Sequence, residues 1–126
     1  MLYYRSIWLF IGWLLVLFIW VMSLIPVPEQ LNIEINHFDK IEHTLAYFLL
    51  MAWFSQLYYS KSVRLFYVVG FILMGVVIEI LQGVGEIRMF DPFDMLANSF
   101  GVLLAWLFIK GSWSEIFVYI ESRFIR

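Results

Sequence analysis

Nine polar side chains lie in or beside stretches of this sequence that are otherwise strongly apolar. Histidine and carboxylate side chains transfer protons in general acid–base catalysis. Lysine and arginine bind phosphate, and arginine can do so through two parallel hydrogen bonds. Gathered in one place, such residues would suit a binding site for an anionic ligand or a hydrolytic site. The nine are Asp39, Lys40, His43, Tyr47, Glu79, Gln82, Arg88, Asp94 and Asn98.

The spacing of these residues predicts polar stripes on three helices, because side chains three or four positions apart are neighbours on an α-helix. Glu79 lies six residues before Gly85, at a depth of roughly 9 Å by helical rise. A carboxylate at that depth needs a proton or a partner, for which His43, Gln82 and Arg88 are candidates. The stripes are Asp39, His43 and Tyr47; Gly75, Glu79, Gln82 and Glu86; and Asp94, Asn98, Gly101 and Ala105.

Two of the aspartates also have a structural interpretation as helix caps. Asp39 precedes an apolar stretch and suits an N-cap. Asp91 is followed by Pro92 at the first helical position and by Asp94 in the first turn, a pattern typical of a helix start. Capping does not exclude a second role for either residue.

Other members of the stripes suit helix packing. Gly101 and Ala105 have the small-xxx-small spacing of closely packed helices. Glu79 and Asn98 would serve as interhelical hydrogen-bonding groups, and His43 as a hydrogen-bonded structural histidine. A ligand site is favoured because the polar residues of three helices converge at one depth, whereas purely structural contacts would be scattered along the bundle.

The composition of the chain indicates an integral membrane protein. Of its 126 residues, 63% are hydrophobic and 14% are charged, whereas a soluble domain has about 25% charged residues. Disordered chains need high charge and few aromatic residues, so disorder is excluded as well. A net charge of −2 excludes a basic nucleic-acid-binding surface, and the absence of cysteine excludes disulfides and thiolate sites.

Four stretches are predicted to span the membrane, because a bilayer core of about 30 Å needs roughly 20 apolar helical residues. They are residues 6–25, 41–59, 65–85 and 93–109. The first is expected to be retained, since its apolar run is too long for a signal peptide and no small-x-small cleavage site precedes Pro26.

Basic residues predict the orientation of these spans, since short cytoplasmic loops hold the excess of Lys and Arg. Six lie on one side and two on the other. Both termini are therefore expected in the cytoplasm, with residues 26–40 and 86–92 outside. The larger set is Arg5, Lys61, Arg64, Lys110, Arg123 and Arg126; the smaller is Lys40 and Arg88.

The C-terminal tail (residues 112–126) is too short to span a bilayer. Ser112 and Glu115 have the spacing of a capping box, and Glu121 and Arg123 lie away from an apolar face. An amphipathic helix on the cytoplasmic membrane surface is predicted, with a partner-binding helix as the alternative. The whole chain is then one domain, an all-α, four-helix transmembrane bundle with a short C-terminal amphipathic interfacial helix. The apolar face comprises Trp113, Ile116, Phe117, Ile120 and Phe124.

Two blocks of the sequence resemble the VanZ-like family of small bacterial membrane proteins. DKIEHTLAYFLL fits the pattern D-K-x-x-H-x-x-x-Y, and EILQGVGEIRMFDPFDMLANSFG fits E-x-x-Q, then R, then D-x-x-x-N-x-x-G. The resemblance extends over residues 23–105 and departs from the family at Ala105, often glycine, and at Asp91-Pro92, often serine-rich. It implies a four-span protein of the bacterial cytoplasmic membrane. The name-giving member is associated with resistance to the glycopeptide teicoplanin, from which no reaction follows.

The first functional hypothesis is binding of an envelope component at the extracytoplasmic side. Membrane lipids, a polyprenyl-linked wall precursor and a lipid-tailed glycopeptide are the expected partners, with no cofactor, metal or nucleic acid. Lys40 and Arg88 would contact phosphate. The other members of the set would shape the pocket: Asp39, His43, Tyr47, Glu79, Gln82, Asp94 and Asn98.

Enzymatic activity is the second hypothesis, with His43 as general base oriented by Asp39 or Asp94, and with Glu79 as the acid. A hard divalent cation held by His43 and carboxylates is a variant of it. No HExxH-type spacing or nucleophile motif supports catalysis. A structural subunit of a larger membrane complex is the third hypothesis, and homo-oligomerisation is left open.

Overall fold

The computed structural model describes residues 1–26 and 36–125, with side chains from Lys40 to Phe124 in the second range. All regular structure in these ranges is helical, which confirms the all-α prediction. The four long helices are α1 (Arg5–Leu24), α2 (Asn36–Leu57), α3 (Lys61–Val84) and α4 (Pro92–Phe108). The tail forms a 3₁₀ turn (Gly111–Glu115), a five-residue helix α5 (Ile116–Ile120) and a π-helical turn (Glu121–Ile125).

Hydrogen bonds between helix ends show that successive long helices run in opposite directions. Arg5 at the start of α1 donates to the Leu57 carbonyl at the end of α2. Gln82 near the end of α3 donates to the carbonyl of Ser23 near the end of α1. We call the end of the bundle where α1 and α3 finish and α2 and α4 begin the Pro92 end, and the opposite end, where the tail packs, the tail end.

Two of the helices, α1 and α3, are each long and apolar enough to cross a membrane. Helix α4 and the tail pass the same test only as a pair bent by 103°. Helix α4 has 17 residues, a length of about 26 Å, and α2 includes charged residues in its first turns. In α1 only Gly12 and Val16 are buried, so its large apolar side chains face outward, as lipid contact requires. These features indicate a membrane protein.

The helix boundaries follow the local sequence. Pro26, which cannot continue a helix, comes two residues after α1. Asp91 caps α4 as predicted: its side chain accepts a hydrogen bond of 3.0 Å from the Phe93 amide, with Pro92 at the first helical position. Helix α2 begins at Asn36. Asp39 therefore lies inside the helix, and the prediction that it is the N-cap is wrong.

Helices α2 and α4 make the most extensive contact of the bundle, and Gly101 permits it. A Cβ atom at this position would overlap the Thr44 carbonyl oxygen and lie 3.0 Å from the Phe48 backbone nitrogen. The Thr44 hydroxyl lies 3.2 Å from the Ala97 carbonyl of α4, and Ala105 is fully buried. The small-xxx-small prediction is therefore confirmed as close backbone packing.

The tail differs from the predicted surface helix. The three short turns replace one continuous helix, and the Ser112–Glu115 capping box does not form. The Gln56 side chain of α2 caps the start of α5 instead. Its Oε1 accepts hydrogen bonds from the Ile116 and Phe117 amides at 2.9 and 3.4 Å. Phe117 is buried and stacks on Trp8 with a centroid separation of 4.2 Å.

Glu121 was expected on the polar face of the tail, and this prediction is wrong. The carboxylate is buried and accepts hydrogen bonds from the Tyr3 and Tyr4 amides and from the Trp8 indole, at 2.6, 2.9 and 2.7 Å. The first turn of α1 has no acidic residue or side-chain cap of its own. The tail therefore supplies an anionic group to the start of α1, where the helix dipole favours negative charge.

The contact at Gly101 makes a testable prediction about stability. Gly101→Ala should lower the unfolding temperature in detergent, because overpacking costs about 1–3 kcal/mol. The matched control is Gly70→Ala in α3, where an added Cβ would meet nothing within 4 Å. That variant should be neutral or more stable by about 0.5–1 kcal/mol. Equal behaviour of the two variants would show that α2 and α4 are not held this closely.

Candidate binding site at the Pro92 end

Lys40 connects α2 to the beginning of α4. Its Nζ lies 2.6 Å from Asp91 Oδ2 and forms a second ion pair with Asp94 Oδ1. The Lys40 and Asp91 side chains remain about one third exposed, whereas Asp94 is buried. They hold the start of α4 against α2, where Asp94 of one predicted stripe lies 3.9 Å from His43 of another. They also engage the Lys40 ammonium, which was expected to contact phosphate.

Asp91 has a perturbed acidity and two structural contacts. The hydrogen bond from Lys40 holds the pKa of the Asp91 carboxyl below its ordinary value of 3.8, with a smaller contribution in the same direction from the Phe93 amide. Asp91 is therefore an anion at neutral pH. The same side chain caps α4. One carboxylate oxygen accepts from the Phe93 amide and the other from Lys40, so a single side-chain conformation serves both contacts.

Glu79 lies beneath this ion-pair layer and is 1% exposed. Its Oε1 accepts a hydrogen bond of 2.7 Å from the Asp91 backbone amide. None of the three partners considered from the sequence makes this contact. His43 is nevertheless near: its Nε2 lies 3.9 Å from Asp94 Oδ2, and both residues are close enough to interact electrostatically with Glu79.

Asn98 forms a deeper layer, one helical turn along α4 from Asp94. It is 3% exposed and packs against Gly75, where an added Cβ would lie 3.0 Å from Asn98 Nδ2. Among the described residues, none donates a hydrogen bond to Asn98 Oδ1. A buried acceptor without a donor costs about 1–3 kcal/mol, which makes this atom a candidate contact for a guest molecule. Tyr47 is also buried and lies close enough to Glu79 to interact with its charge.

The remaining site residues lie in different places. Gln82 is buried and donates to the Ser23 carbonyl at 2.7 Å, so it connects α3 to α1. Arg88 lies in the connection between α3 and α4 and is half-buried. Asp39 is helical in its backbone, but its side chain lies outside the described residues.

A groove of about 650 Å³ opens beside the ion pairs, between the end of α3 and the following connection. Gly83 lets this connection approach, since an added Cβ would lie 3.0 Å from Phe90 Cβ. The walls are mainly apolar, and the two charged lining residues differ in sign. Its apolar residues include Ile80, Val84, Met89 and Phe90, and its charged residues are Glu86 and Arg88.

Glu86 has an unusual backbone conformation at this groove. The Glu86 and Ile87 amides donate to the Gly83 and Gln82 carbonyls at 3.3 and 3.0 Å, which is the Schellman pattern at the end of α3. The pattern places Glu86 at φ 55°, a left-handed position usually occupied by glycine. Spacing placed Glu86 on the α3 stripe, but no sequence signal indicated this conformation.

Metal coordination has no geometric support in the described part of the chain, where no three His, Asp or Glu side chains are grouped to hold an ion. No family model, curated protein or solved structure matches this sequence. The interpretation of the candidate site therefore rests on the positions and contacts of its own residues.

The Lys40–Asp91 pair predicts a dependence of stability on pH. A lowered pKa in the folded state stabilises the fold above pH 3.8, and this contribution is lost as the pH falls through the folded pKa. Asp91→Asn keeps a capping oxygen but removes the charge. Its unfolding temperature should fall below wild type at pH 7, and the difference should shrink toward pH 3.

Thermal unfolding in detergent, followed by tryptophan fluorescence, measures this effect. Glu115→Gln, an exposed carboxylate at the tail end, is the control and should follow the wild-type pH profile. A constant difference between Asp91→Asn and wild type across this pH range would contradict the ion-pair assignment.

Proposed function

We propose that the protein spans the membrane four times and binds a phosphate-bearing, lipid-linked envelope component at the Pro92 end. The four spans correspond to α1–α4, with both termini in the cytoplasm and the Pro92 end on the extracytoplasmic side. The basic residues support this orientation, since Arg5, Lys61, Arg64 and Lys110 are all at the tail end. The cytoplasmic membrane of a bacterium is the proposed location, as the resemblance to the VanZ-like family implies.

The groove at the end of α3 is the observation on which this proposal depends. Its apolar wall suits a hydrocarbon tail, with Val84 78% and Met89 90% exposed. Arg88 lines the same groove just beyond the end of α3, where the proposed span would meet the lipid head groups. A guanidinium group can bind a phosphate through two parallel hydrogen bonds. The combination of apolar wall and cation matches a lipid whose tail and phosphate are joined.

The neighbouring ion-pair cluster explains why Arg88, rather than Lys40, is assigned to phosphate. Lys40 lies between two aspartates, so a phosphate arriving there would meet two negative charges besides the ammonium. Repulsion by these carboxylates opposes anion binding at Lys40. We therefore assign Lys40 to positioning the start of α4. Arg88 is assigned to the ligand because it lines the groove beside the apolar wall.

Membership of the VanZ-like family is part of the same proposal. The motif residues Lys40, His43, Glu79 and Asp94 form one cluster, as a shared site would require. A polyprenyl-linked wall precursor is one ligand of the proposed type, and a lipid-tailed glycopeptide such as teicoplanin is an alternative occupant of the groove.

Replacement of Arg88 tests the binding function. Arg88→Gln should weaken binding of a polyprenyl phosphate by about tenfold or more, since a hydrogen bond to a charged group contributes about 1.5–3 kcal/mol. Binding is measured by native mass spectrometry or by tryptophan quenching in nanodiscs. Arg123→Gln, at an exposed arginine of the tail, is the matched control and should bind as wild type. Unchanged affinity of a folded Arg88→Gln variant would remove the phosphate contact.

Hydrolysis is the second candidate function, favoured by the His43–Asp94 pair and by the Asn98 acceptor. On a polyprenyl diphosphate, the His43 imidazole would take a proton from water as the water oxygen attacks the terminal phosphorus. The bridging P–O bond would break, giving inorganic phosphate and polyprenyl monophosphate.

Phosphate release from a polyprenyl diphosphate tests this alternative. If the reaction occurs, His43→Gln should slow it by about 100-fold or more, while Arg123→Gln should leave it unchanged. Absence of release by wild-type protein, or equal rates for wild type and His43→Gln, would leave binding without chemistry.

A further inference from the structure

We propose that the groove recognises a zwitterionic lipid head group, in which a primary ammonium group lies two carbons from the phosphate ester. Arg88 contacts the phosphate and Glu86 contacts the ammonium. This inference rests on the proposed function, which supplies the phosphate contact. Among the lipids that function allows, it selects a phospholipid that bears an amine over a polyprenyl phosphate.

Charge complementarity is the first argument. Glu86 and Arg88 lie two residues apart and line one groove. The groove therefore has a carboxylate and a guanidinium beside a largely apolar wall. None of the ion pairs among the described residues involves Glu86. An anionic head group without an amine would contact Arg88 but would bring its negative charge near the Glu86 carboxylate.

Backbone strain at Glu86 is an independent argument. The residue is in the left-handed region at φ 55°, where a side chain is disfavoured and the Schellman pattern ordinarily has glycine. Glycine would end α3 with less strain, but it would have no carboxylate. Strained positions of this kind concentrate at binding sites. Glu86 lines the groove, so a contact with a bound head group would account for the strain.

A membrane lipid is the occupant favoured over a soluble phosphate ester. The apolar residues Ile80 and Val84 of α3 and Phe90 of the following connection line this groove. These surfaces would gain nothing from a soluble head group, whereas a lipid tail would cover them. Head group and tail therefore contact adjoining parts of one groove.

Phosphatidylethanolamine and phosphatidylethanol with identical acyl chains form the matched pair of ligands, since they differ only by the ammonium group. Wild-type protein in detergent should bind phosphatidylethanolamine about fivefold more tightly, as expected for one partly exposed ion pair. Glu86→Gln, which keeps the size of the side chain, should abolish this preference. Glu115→Gln, the exposed control, should retain it.

Glu86→Gly separates strain from recognition. It should lose the same preference while raising the unfolding temperature, because glycine relieves the left-handed conformation. A purely structural role for Glu86 predicts no change in lipid preference in either variant. Soluble phosphoethanolamine should not compete at the concentrations that suffice for the lipid, and equal competition would overturn the assignment of a lipid.

The outcomes distinguish this inference from the function on which it rests. If wild type binds both lipids equally, or if Glu86→Gln keeps the preference, amine recognition is wrong and phosphate binding at Arg88 stands. If wild type binds polyprenyl phosphate but neither of these two lipids, the inference also fails. If it binds none of the three, or if Arg88→Gln binds them as wild type does, the proposed function itself fails.

Discussion

The close packing of α2 against α4 is the constraint on which the rest of the structure depends. These two helices run in the same direction, and Gly101 brings their backbones into contact at Thr44. One turn nearer the Pro92 end, the same approach places Lys40 within reach of Asp94. The candidate site is thus a consequence of a glycine located two turns away from it. Separation of the two helices would disrupt the packing and the ion pairs together.

At the tail end of the bundle, side chains form hydrogen bonds with the backbone groups that the helix ends leave without partners. Carbonyl groups at helix ends have no partner within the helix, and an apolar surrounding offers none. Arg64 donates to three such carbonyls, those of Ser55 and Tyr58 near the end of α2 and of Ile109 after α4, at 2.6, 2.6 and 3.2 Å. Glu121 accepts from the start of α1 in the same way. The tail is therefore part of the bundle and not only a surface anchor.

The sequence predicted those features that depend on neighbouring residues, and it missed those that depend on residues far apart in the chain. Continuous apolar runs predicted the long helices, and Asp91-Pro92 predicted the start of α4, because these signals are local. The burial of Glu121 had no such signal, since its partner Tyr3 lies 118 positions away. Glu79 is similar: its partner is a backbone amide, which every residue except proline has. Lys40 could be placed at the same end of the bundle as Asp91 and Asp94, but not assigned to these aspartates.

The two ends of the bundle differ in how many of their polar groups have hydrogen-bond partners among the described residues, and this difference is one reason for proposing a binding site at the Pro92 end. At the tail end, Arg64 and Gln56 each make three hydrogen bonds to backbone groups. At the Pro92 end, Asn98 Oδ1 has no donor among the described residues, and Glu86 is held in a strained conformation beside an open groove. Stability alone would favour leucine at the first position and glycine at the second. The amide of Asn98 and the carboxylate of Glu86 are instead what a ligand-binding site at the Pro92 end would require.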